Sequence, residues 1–171
     1  MPLIQLPALW IVVLDLFAWF FFHLSISWAM LKVPDSFFSQ RLHWFQSKGW
    51  ENEGNLWQQL FRVKAWKRFV PDGTMLLKKG FDKTSLEKSD LKYLNKVVIE
   101  MRRAELTHWI SILPAGLFFL WNPLWASWFM VLYALGFNLP LIILQRYNRP
   151  RIERVLKRTA VRSNNQKIEK G

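Results

Sequence analysis

Two polar residues at the start of a long apolar stretch have the types and spacing that proton transfer requires. Glu105 and His108 lie three residues apart in RAELTHW (103–109), so both side chains project from the same face of a helix. A carboxylate beside a histidine fixes the tautomer of the ring and favours its protonated form, as a general base requires. We therefore predict that His108 is a base and that Glu105 orients it. The alternative is a structural polar pair beside lipid headgroups, where a helix enters the membrane.

A second polar group follows the last apolar stretch and is rich in arginine. The segment QRYNRPR (145–151) holds three guanidinium groups and an asparagine, which suit phosphate or sugar binding. The alternative is a positive anchor that stops the preceding span, although lysine would serve that purpose equally well.

Two further ionisable residues lie inside the first apolar stretch. Asp15 is a functional candidate because charged groups within a span are costly, and the alternative is that it reaches the outer interface. His23 is predicted to hydrogen-bond another helix. The chain has three histidines, none paired at metal-ligand spacing, and no cysteine, so we expect neither a metal site nor a cysteine nucleophile.

The apolar stretches, residues 7–31 and 106–144, define the fold class. A membrane-spanning helix needs about 20 mostly apolar residues. The second stretch is about twice too long for one span, and Asn122-Pro123 divides it near its middle. We predict an all-α integral membrane protein, a single membrane domain with about three transmembrane helices. Its parts are spans over 7–31, 106–121 and 124–144, a basic amphipathic and helical segment over 32–105, and a basic tail over 145–171.

The basic residues predict the orientation of these spans. Of the 24 lysines and arginines, 15 lie between Lys32 and Arg103 and nine follow Gln145. The positive-inside rule makes the basic segment and the C-terminus cytoplasmic and places the N-terminus outside the cell membrane. A re-entrant hairpin over 106–144 is the alternative to two crossings. The net charge of +12 flanks membrane spans, so anionic membrane lipid, and not nucleic acid, is the predicted partner.

Apolar patterns predict the helices of the basic segment. Residues 37–45 form an amphipathic pattern suited to the membrane interface, and an aromatic and basic stretch begins at Gly54. A stripe at three- and four-residue steps from Leu91 to His108 predicts one long helix that continues into the second span, with a capping box at 84–87.

The tail is predicted in three parts. Arg149-Pro150 should end the helix of the last span, because proline lacks a backbone N–H. A separate basic helix is expected over 151–162, and the last eight residues are expected to be disordered.

The segments that hold the candidate residues resemble a known family. RAELTHWISILP (103–114) and NLPLIILQRYNRPR (138–151) resemble the glycosyl-4,4'-diaponeurosporenoate acyltransferases of staphyloxanthin-type carotenoid synthesis. Weaker matches extend the resemblance over about residues 33–152; they are Pro34-Asp35, Glu51, Gly54, Trp57, Phe61, Trp66-Lys67, Asp72-Gly73 and Glu100. His23 and His43 lie outside the pattern.

The resemblance implies a multi-pass membrane enzyme that esterifies a sugar hydroxyl of a glycosylated carotenoid, or a similar glycolipid, with a fatty acyl chain. We expect direct transfer without a cofactor from acyl-CoA, with His108 taking the hydroxyl proton and Glu105 supporting the imidazolium. The predicted substrate-binding residues are Arg103, Arg146, Asn148, Arg149, Arg151, Trp66 and Lys67. The alternative is a non-enzymatic protein that binds anionic lipid or scaffolds membrane enzymes through its basic face.

Overall fold

The computed structural model describes residues 4–39, 43–70 and 88–168, which contain helices and turns but no strand. The predicted all-α class is therefore confirmed. The α-helices in these ranges are α1 (Ala8–Lys32), α2 (Asp35–Ser39), α3 (Asn55–Phe61), α4 (Val63–Trp66), α5 (Lys88–Ile112) and α6 (Leu124–Ile168). Short 3-10 helices lie over His43–Phe45, Gly49–Gly54, Lys67–Phe69 and Leu113–Leu120.

Two helices, α1 and α6, are long and apolar enough to cross a membrane. They have 25 and 45 residues, against the roughly 20 that a span needs. Along α1, large apolar side chains such as Leu9, Leu16 and Phe20 are exposed, as expected of a surface that lies in lipid. The number of crossings stays a prediction, because residues 106–121 form the end of α5 and a 3-10 helix.

The change from α5 to the 3-10 helix coincides with a proline. The α-helix ends at Ile112, and Pro114 stands near the start of Leu113–Leu120. Proline has no backbone N–H, and its ring clashes with the carbonyl four residues earlier. A 3-10 helix rises about 2.0 Å per residue, so these eight residues reach roughly 16 Å, against about 12 Å for an α-helix.

The last helix does not end where the sequence predicts. It passes through Arg149-Pro150 and continues to Ile168. The predicted break is therefore wrong, and the predicted disorder is wrong for residues 164–168. Sequence patterns of this kind overestimate proline as a helix breaker when neighbouring groups occupy the backbone that proline frees.

Such neighbours lie beside Pro150. Its missing N–H leaves the carbonyl of Arg146 without its usual donor four residues on. Gly54 lies so close to the carbonyl oxygens of Arg146 and Tyr147 that a Cβ atom there would be 3.0 Å from each. In addition, the guanidinium of Arg151 donates a hydrogen bond to the Tyr147 carbonyl. Contacts with Gly54 and with the side chain of Arg151 thus stabilise this turn of α6 in addition to the backbone hydrogen bonds of the helix.

The basic segment is less regular than predicted. The range 37–45, predicted as one helix, contains the end of α2 and a 3-10 helix at His43–Phe45. Gly54 precedes α3 with φ of 85°, which agrees with the predicted start of the aromatic and basic stretch. The continuous helix α5 confirms the long stripe, and its predicted capping box at 84–87 lies outside the described residues.

The chain divides into two compact units. Unit 1 comprises Met1–Pro34 and Glu105–Ile142, and unit 2 comprises Asp35–Ala104 and Ile143–Gly171.

Unit 1 is built around an aromatic core. The ring of Trp19 stacks on Phe118 at 4.7 Å and meets the edge of Tyr133 at 5.2 Å. At one end of the unit, the backbone N–H of Ile4 donates to the carbonyl of Leu120 at 3.0 Å. The N-terminal end of α1 and the turn before α6 therefore lie at the same end of unit 1, as a hairpin of antiparallel segments requires.

A buried carboxylate joins these elements. Asp15 is 7% exposed, and its Oδ1 accepts hydrogen bonds from Nε1 of Trp121 and Nδ2 of Asn122, both at 2.7 Å. A buried carboxylate is costly unless it is hydrogen-bonded. Asp15 is therefore a link between α1 and the turn at Asn122-Pro123.

Unit 2 has its own apolar cluster. Val63, Leu144 and Tyr147 are almost fully buried together, and Trp57 and Trp66 pack against them. The short helices α3 and α4 are thereby packed onto the C-terminal half of α6.

Candidate active site

The ring of His108 contacts a buried asparagine of α6 within unit 1. Its Nδ1 lies 3.0 Å from Oδ1 of Asn138. Nδ2 of Asn138 donates in turn to the carbonyl of Ala134 at 2.9 Å. Asn138 is 1% exposed, whereas His108 is half-buried. The ring is thus held through one nitrogen, and Nε2 is the atom that could exchange a proton with a substrate.

Glu105 lies one turn before His108 in the same unit and is fully buried. The contact that holds Nδ1 of His108 comes from Asn138, which the sequence analysis did not select. The orienting role of Glu105 stays a prediction. The only indication of Asn138 in the sequence is its position as the first polar residue of NLPLIILQRYNRPR, inside an apolar stretch.

Aromatic rings lie at the same level of unit 1 as His108 and Asn138. The ring of His23 stacks on Trp19 at 5.4 Å and lies 5.9 Å from the ring of Phe137, the neighbour of Asn138. His23 precedes Lys32 by nine residues, which is about 14 Å along the axis of α1. The neighbours of His108 therefore lie well inside unit 1, among apolar side chains, where a hydrogen bond is stronger than in water.

In unit 2, Arg146 forms a buried ion pair. Its Nη1 lies 3.0 Å from Oε1 of Glu51, which is 1% exposed, and its Nη2 donates to the carbonyl of Trp44. Glu51 also accepts hydrogen bonds from Nε1 of Trp57 and from the backbone N–H of Lys48. Arg146 therefore binds residues 44–57 to α6.

Three other predicted binding residues surround Tyr147, which is 1% exposed. The guanidinium carbon of Arg151 lies 3.7 Å from the centre of its ring, and Nζ of Lys67 lies 5.4 Å away. Trp66 packs against the same cluster, and Nη2 of Arg151 donates to Oδ1 of Asn55. These three residues thus lie together around a tyrosine that the sequence analysis did not single out, and their role in substrate binding stays a prediction.

Arg103 and Arg149 flank a pair of phenylalanines. Their guanidinium carbons lie 5.1 Å from the ring centre of Phe38 and 5.9 Å from that of Phe45, and the two rings are 6.1 Å apart. Arg103 is 8% exposed and Arg149 is 1% exposed. Both guanidinium groups therefore contribute to the packing of unit 2. The remaining predicted residue of this unit, Asn148, is also buried.

Arg103 belongs to an ion-pair network at the start of α2. Its Nη2 lies 2.7 Å from Oδ1 of Asp35, and Lys96 Nζ lies 2.6 Å from Oδ2 of the same carboxylate. Glu100 pairs with both cations. The hydrogen bonds from Lys96 and then from Arg103 lower the pKa of Asp35 below its ordinary value.

Arg102, which the sequence analysis did not select, joins three segments of unit 2. Its Nη1 donates to the carbonyl of Phe38 at 2.7 Å, and its Nη2 pairs with Glu153 at 2.9 Å. Only its position beside Arg103 in the motif indicated it. Among the residues that the structure describes, no cluster of histidine, aspartate and glutamate could hold a metal ion.

A family model for glycosyl-4,4'-diaponeurosporenoate acyltransferase matches residues 41–158, which include every predicted site residue and also Asn138. This chain belongs to that family. It is therefore an acyltransferase, and the family relationship predicted from the two motifs is confirmed.

Named relatives agree with this assignment. The glycosyl-4,4'-diaponeurosporenoate acyltransferase of Staphylococcus haemolyticus (strain JCSC1435) is 37% identical over 79% of this chain and 78% of its own length. The protein of the same name from Staphylococcus aureus (strain USA300) is 37% identical over 81% of this chain and 84% of its own length. No solved structure matches the chain.

Proposed function

We propose that this protein transfers a fatty acyl group to a sugar hydroxyl of a glycosylated carotenoid or a similar glycolipid. The proposal is supported by the relatives, whose name specifies glycosyl-4,4'-diaponeurosporenoate as the molecule acted on. The exposed apolar side chains of α1 suit a substrate whose long tail lies in the bilayer. The acceptor is therefore an amphiphile with a polar sugar and a membrane-embedded chain.

In the proposed reaction, His108 is the general base. The hydroxyl oxygen forms a new bond to the acyl carbonyl carbon while its proton passes to Nε2 of His108. The bond between the acyl carbon and its leaving group then breaks, and Nε2 returns the proton to that leaving group. Transfer is direct, so no acyl-enzyme forms. The buried carboxylate of Glu105, one turn away, would favour the imidazolium form of the ring.

The proposed donor is acyl-CoA, whose leaving group is a thiol and whose phosphates suit a basic protein surface. Arg146, Arg149 and Arg151 are the proposed phosphate ligands. Arg146 pairs with Glu51, and Arg151 donates a hydrogen bond to Asn55. These contacts support a structural role for both arginines in addition to the proposed binding of the donor.

The proposed topology has the N-terminus outside the cell and the basic residues in the cytoplasm. A tag placed after Gly171 should label only after the membrane is made permeable. A cysteine that replaces the exposed Leu124 should label from outside if residues 106–144 cross the membrane twice. Because the chain has no native cysteine, a single substitution gives an unambiguous label. Labelling of the C-terminal tag in intact cells would contradict the topology.

A comparison of lipid extracts tests the function. Cells that make the glycosylated carotenoid should accumulate its acylated form only when this gene is expressed. General-base catalysis contributes about 10²- to 10⁴-fold in rate, so His108→Gln should reduce the acylated product by that order at equal amounts of membrane-inserted protein. His43→Gln is the matched control, because the proposal gives His43 no role. Near-normal product from His108→Gln would exclude the base role, and the absence of product from the unaltered protein would exclude this acceptor.

A further inference from the structure

The orientation of the Asn138 side chain is determined by its two partners. The carbonyl of Ala134 can only accept a hydrogen bond, so the amide nitrogen of Asn138 must be the atom that lies 2.9 Å from it. Oδ1 is then the atom that lies 3.0 Å from Nδ1 of His108. With Asn138 1% exposed, water has little access to replace either bond.

This orientation decides which ring nitrogen of His108 carries a hydrogen. An amide oxygen is an acceptor only, so Nδ1 must donate to it. In the neutral imidazole one nitrogen carries the hydrogen and the other bears a lone pair, and the partner of one nitrogen selects the tautomer. A donor at Nδ1 therefore leaves the lone pair on Nε2.

We infer that Asn138 is a positioning residue that holds His108 in the Nδ1–H tautomer and makes Nε2 its proton-accepting atom. The tautomer follows from the geometry, and its catalytic consequence rests on the proposed function. Asn138 thereby takes the orienting task that the spacing of the sequence assigned to Glu105. A neutral amide has one further effect: it fixes the ring without adding a negative charge inside the apolar part of unit 1.

The surroundings of the pair support a fixed ring. Phe137 precedes Asn138 on α6, and its ring lies 5.9 Å from that of His23. The hydrogen bond between the half-buried His108 and the almost fully buried Asn138 leaves little room for a water molecule that could bridge or replace it. Residues that orient a metal-binding histidine through its second nitrogen typically contribute about 10- to 100-fold to activity, and we expect an effect of similar size here.

Nitrogen NMR of the intact protein in detergent micelles, labelled with ¹⁵N-histidine, measures the tautomer. The chain has only three histidines, so the resonances of His108 can be assigned by difference from His108→Gln. Above the pH range in which the ring titrates, we expect Nδ1 to be protonated and Nε2 to be unprotonated. The opposite assignment in the unaltered protein would overturn the inference.

Two substitutions separate positioning from packing. Asn138→Leu removes the acceptor and introduces an apolar side chain of similar size, so we expect the ring to lose its fixed tautomer. We also expect turnover to fall about 10- to 100-fold with little change in KM. Asn138→Asp keeps an oxygen acceptor for Nδ1 and should keep the Nδ1–H tautomer, but it loses the N–H that donates to the Ala134 carbonyl, so its stability should fall. Leu135→Met, one turn earlier on α6, is the control for packing in this helix.

The outcomes distinguish this inference from the proposed function. Loss of activity in Asn138→Leu with the tautomer of His108 unchanged would overturn the positioning role. If Asn138→Leu loses the Nδ1–H tautomer while His108→Gln keeps full activity, Asn138 does hold the ring, but His108 is not the general base.

Discussion

Glu51 and Arg146 form an ion pair that is almost closed to solvent, with Oε1 and Nη1 3.0 Å apart and the Glu51 side chain 1% exposed. Removing one partner of a buried pair leaves an uncompensated charge and typically costs about 3–5 kcal/mol. Arg146→Gln should therefore lower the stability of unit 2 by roughly that amount. Denaturant unfolding in mild detergent, followed by tryptophan fluorescence, measures the change.

Arg154→Gln is the control for this prediction. Arg154 also pairs with a glutamate, Glu53, but the two side chains are 45% and 60% exposed. Exposed pairs contribute about 0–1 kcal/mol, so this variant should unfold almost as the unaltered protein does. Equal losses in Arg146→Gln and Arg154→Gln would mean that burial does not strengthen the Arg146 pair.

Gly54 should not tolerate a side chain. Its φ is +85°, and a Cβ atom there would lie 3.0 Å from the carbonyl oxygens of both Arg146 and Tyr147. A left-handed backbone at a residue other than glycine costs about 1–3 kcal/mol, and the two contacts with rigid backbone add to that cost. Gly54→Ala should lower the midpoint of thermal unfolding. Gly49→Ala, where a Cβ meets nothing within 4 Å, should leave the midpoint almost unchanged.

The fold was predictable from sequence wherever apolar periodicity or composition determined it. Twenty-five mostly apolar residues gave α1 nearly to its ends, and Asn122-Pro123 separated the last two segments. Single prolines were less informative. Pro114 changes the helix type, whereas Pro150 is accommodated within α6. The difference depends on neighbours far along the chain, such as Gly54, and local patterns carry no information about them.

The candidate site was likewise predictable from the sequence only in part. The two motifs located His108 and the arginine group, because both are polar clusters where a long apolar stretch begins or ends. Their partners were not predicted, since Asn138 lies 30 residues from His108 and Glu51 lies 95 residues from Arg146. Spacing along one helix could suggest only a partner on the same helix, and it therefore selected Glu105.

The Asp35 network predicts a pH-dependent stability. Hydrogen bonds from Lys96 and then Arg103 hold the pKa of Asp35 below its ordinary value of 3.8. Because the folded state favours the charged carboxylate, its stabilising effect is fully present above pH 3.8 and is lost as the pH falls from there through the folded-state pKa.

Asp35→Asn should consequently unfold at a lower temperature than the unaltered protein at pH 7. The difference should shrink as the pH is lowered below 3.8. Asp35, Lys96 and Glu100 are exposed to solvent, so we expect a modest change that salt reduces. Glu53→Gln, in the exposed pair with Arg154, is the control. A difference that stays constant from pH 7 to pH 3 would show that the Asp35 charge is not responsible.

The role proposed for Arg149 predicts a selective effect on donor use. Lysine keeps the charge but cannot form two parallel hydrogen bonds with a phosphate. Loss of one such bond costs about 1–3 kcal/mol, so Arg149→Lys should raise the KM for acyl-CoA roughly tenfold to a hundredfold. The exposed Arg158, replaced by lysine on the same helix, should leave this KM unchanged. An unaltered KM in Arg149→Lys would limit Arg149 to packing against Phe45.

The hydrogen bonds to Asp15 have a consequence for the order in which the protein assembles during synthesis. The ribosome delivers α1 first, so its carboxylate enters the bilayer about 100 residues before Trp121 and Asn122 exist as partners. An aspartate at the centre of a span raises the free energy of insertion by about 2.5–3.5 kcal/mol, and Asp15, which lies in the first half of α1, incurs part of that cost. The arriving hairpin removes much of that penalty when its two donors reach Oδ1. The two donors thereby give the early helix a specific partner, and the nascent chain gains a bias toward correct pairing before its basic tail is complete.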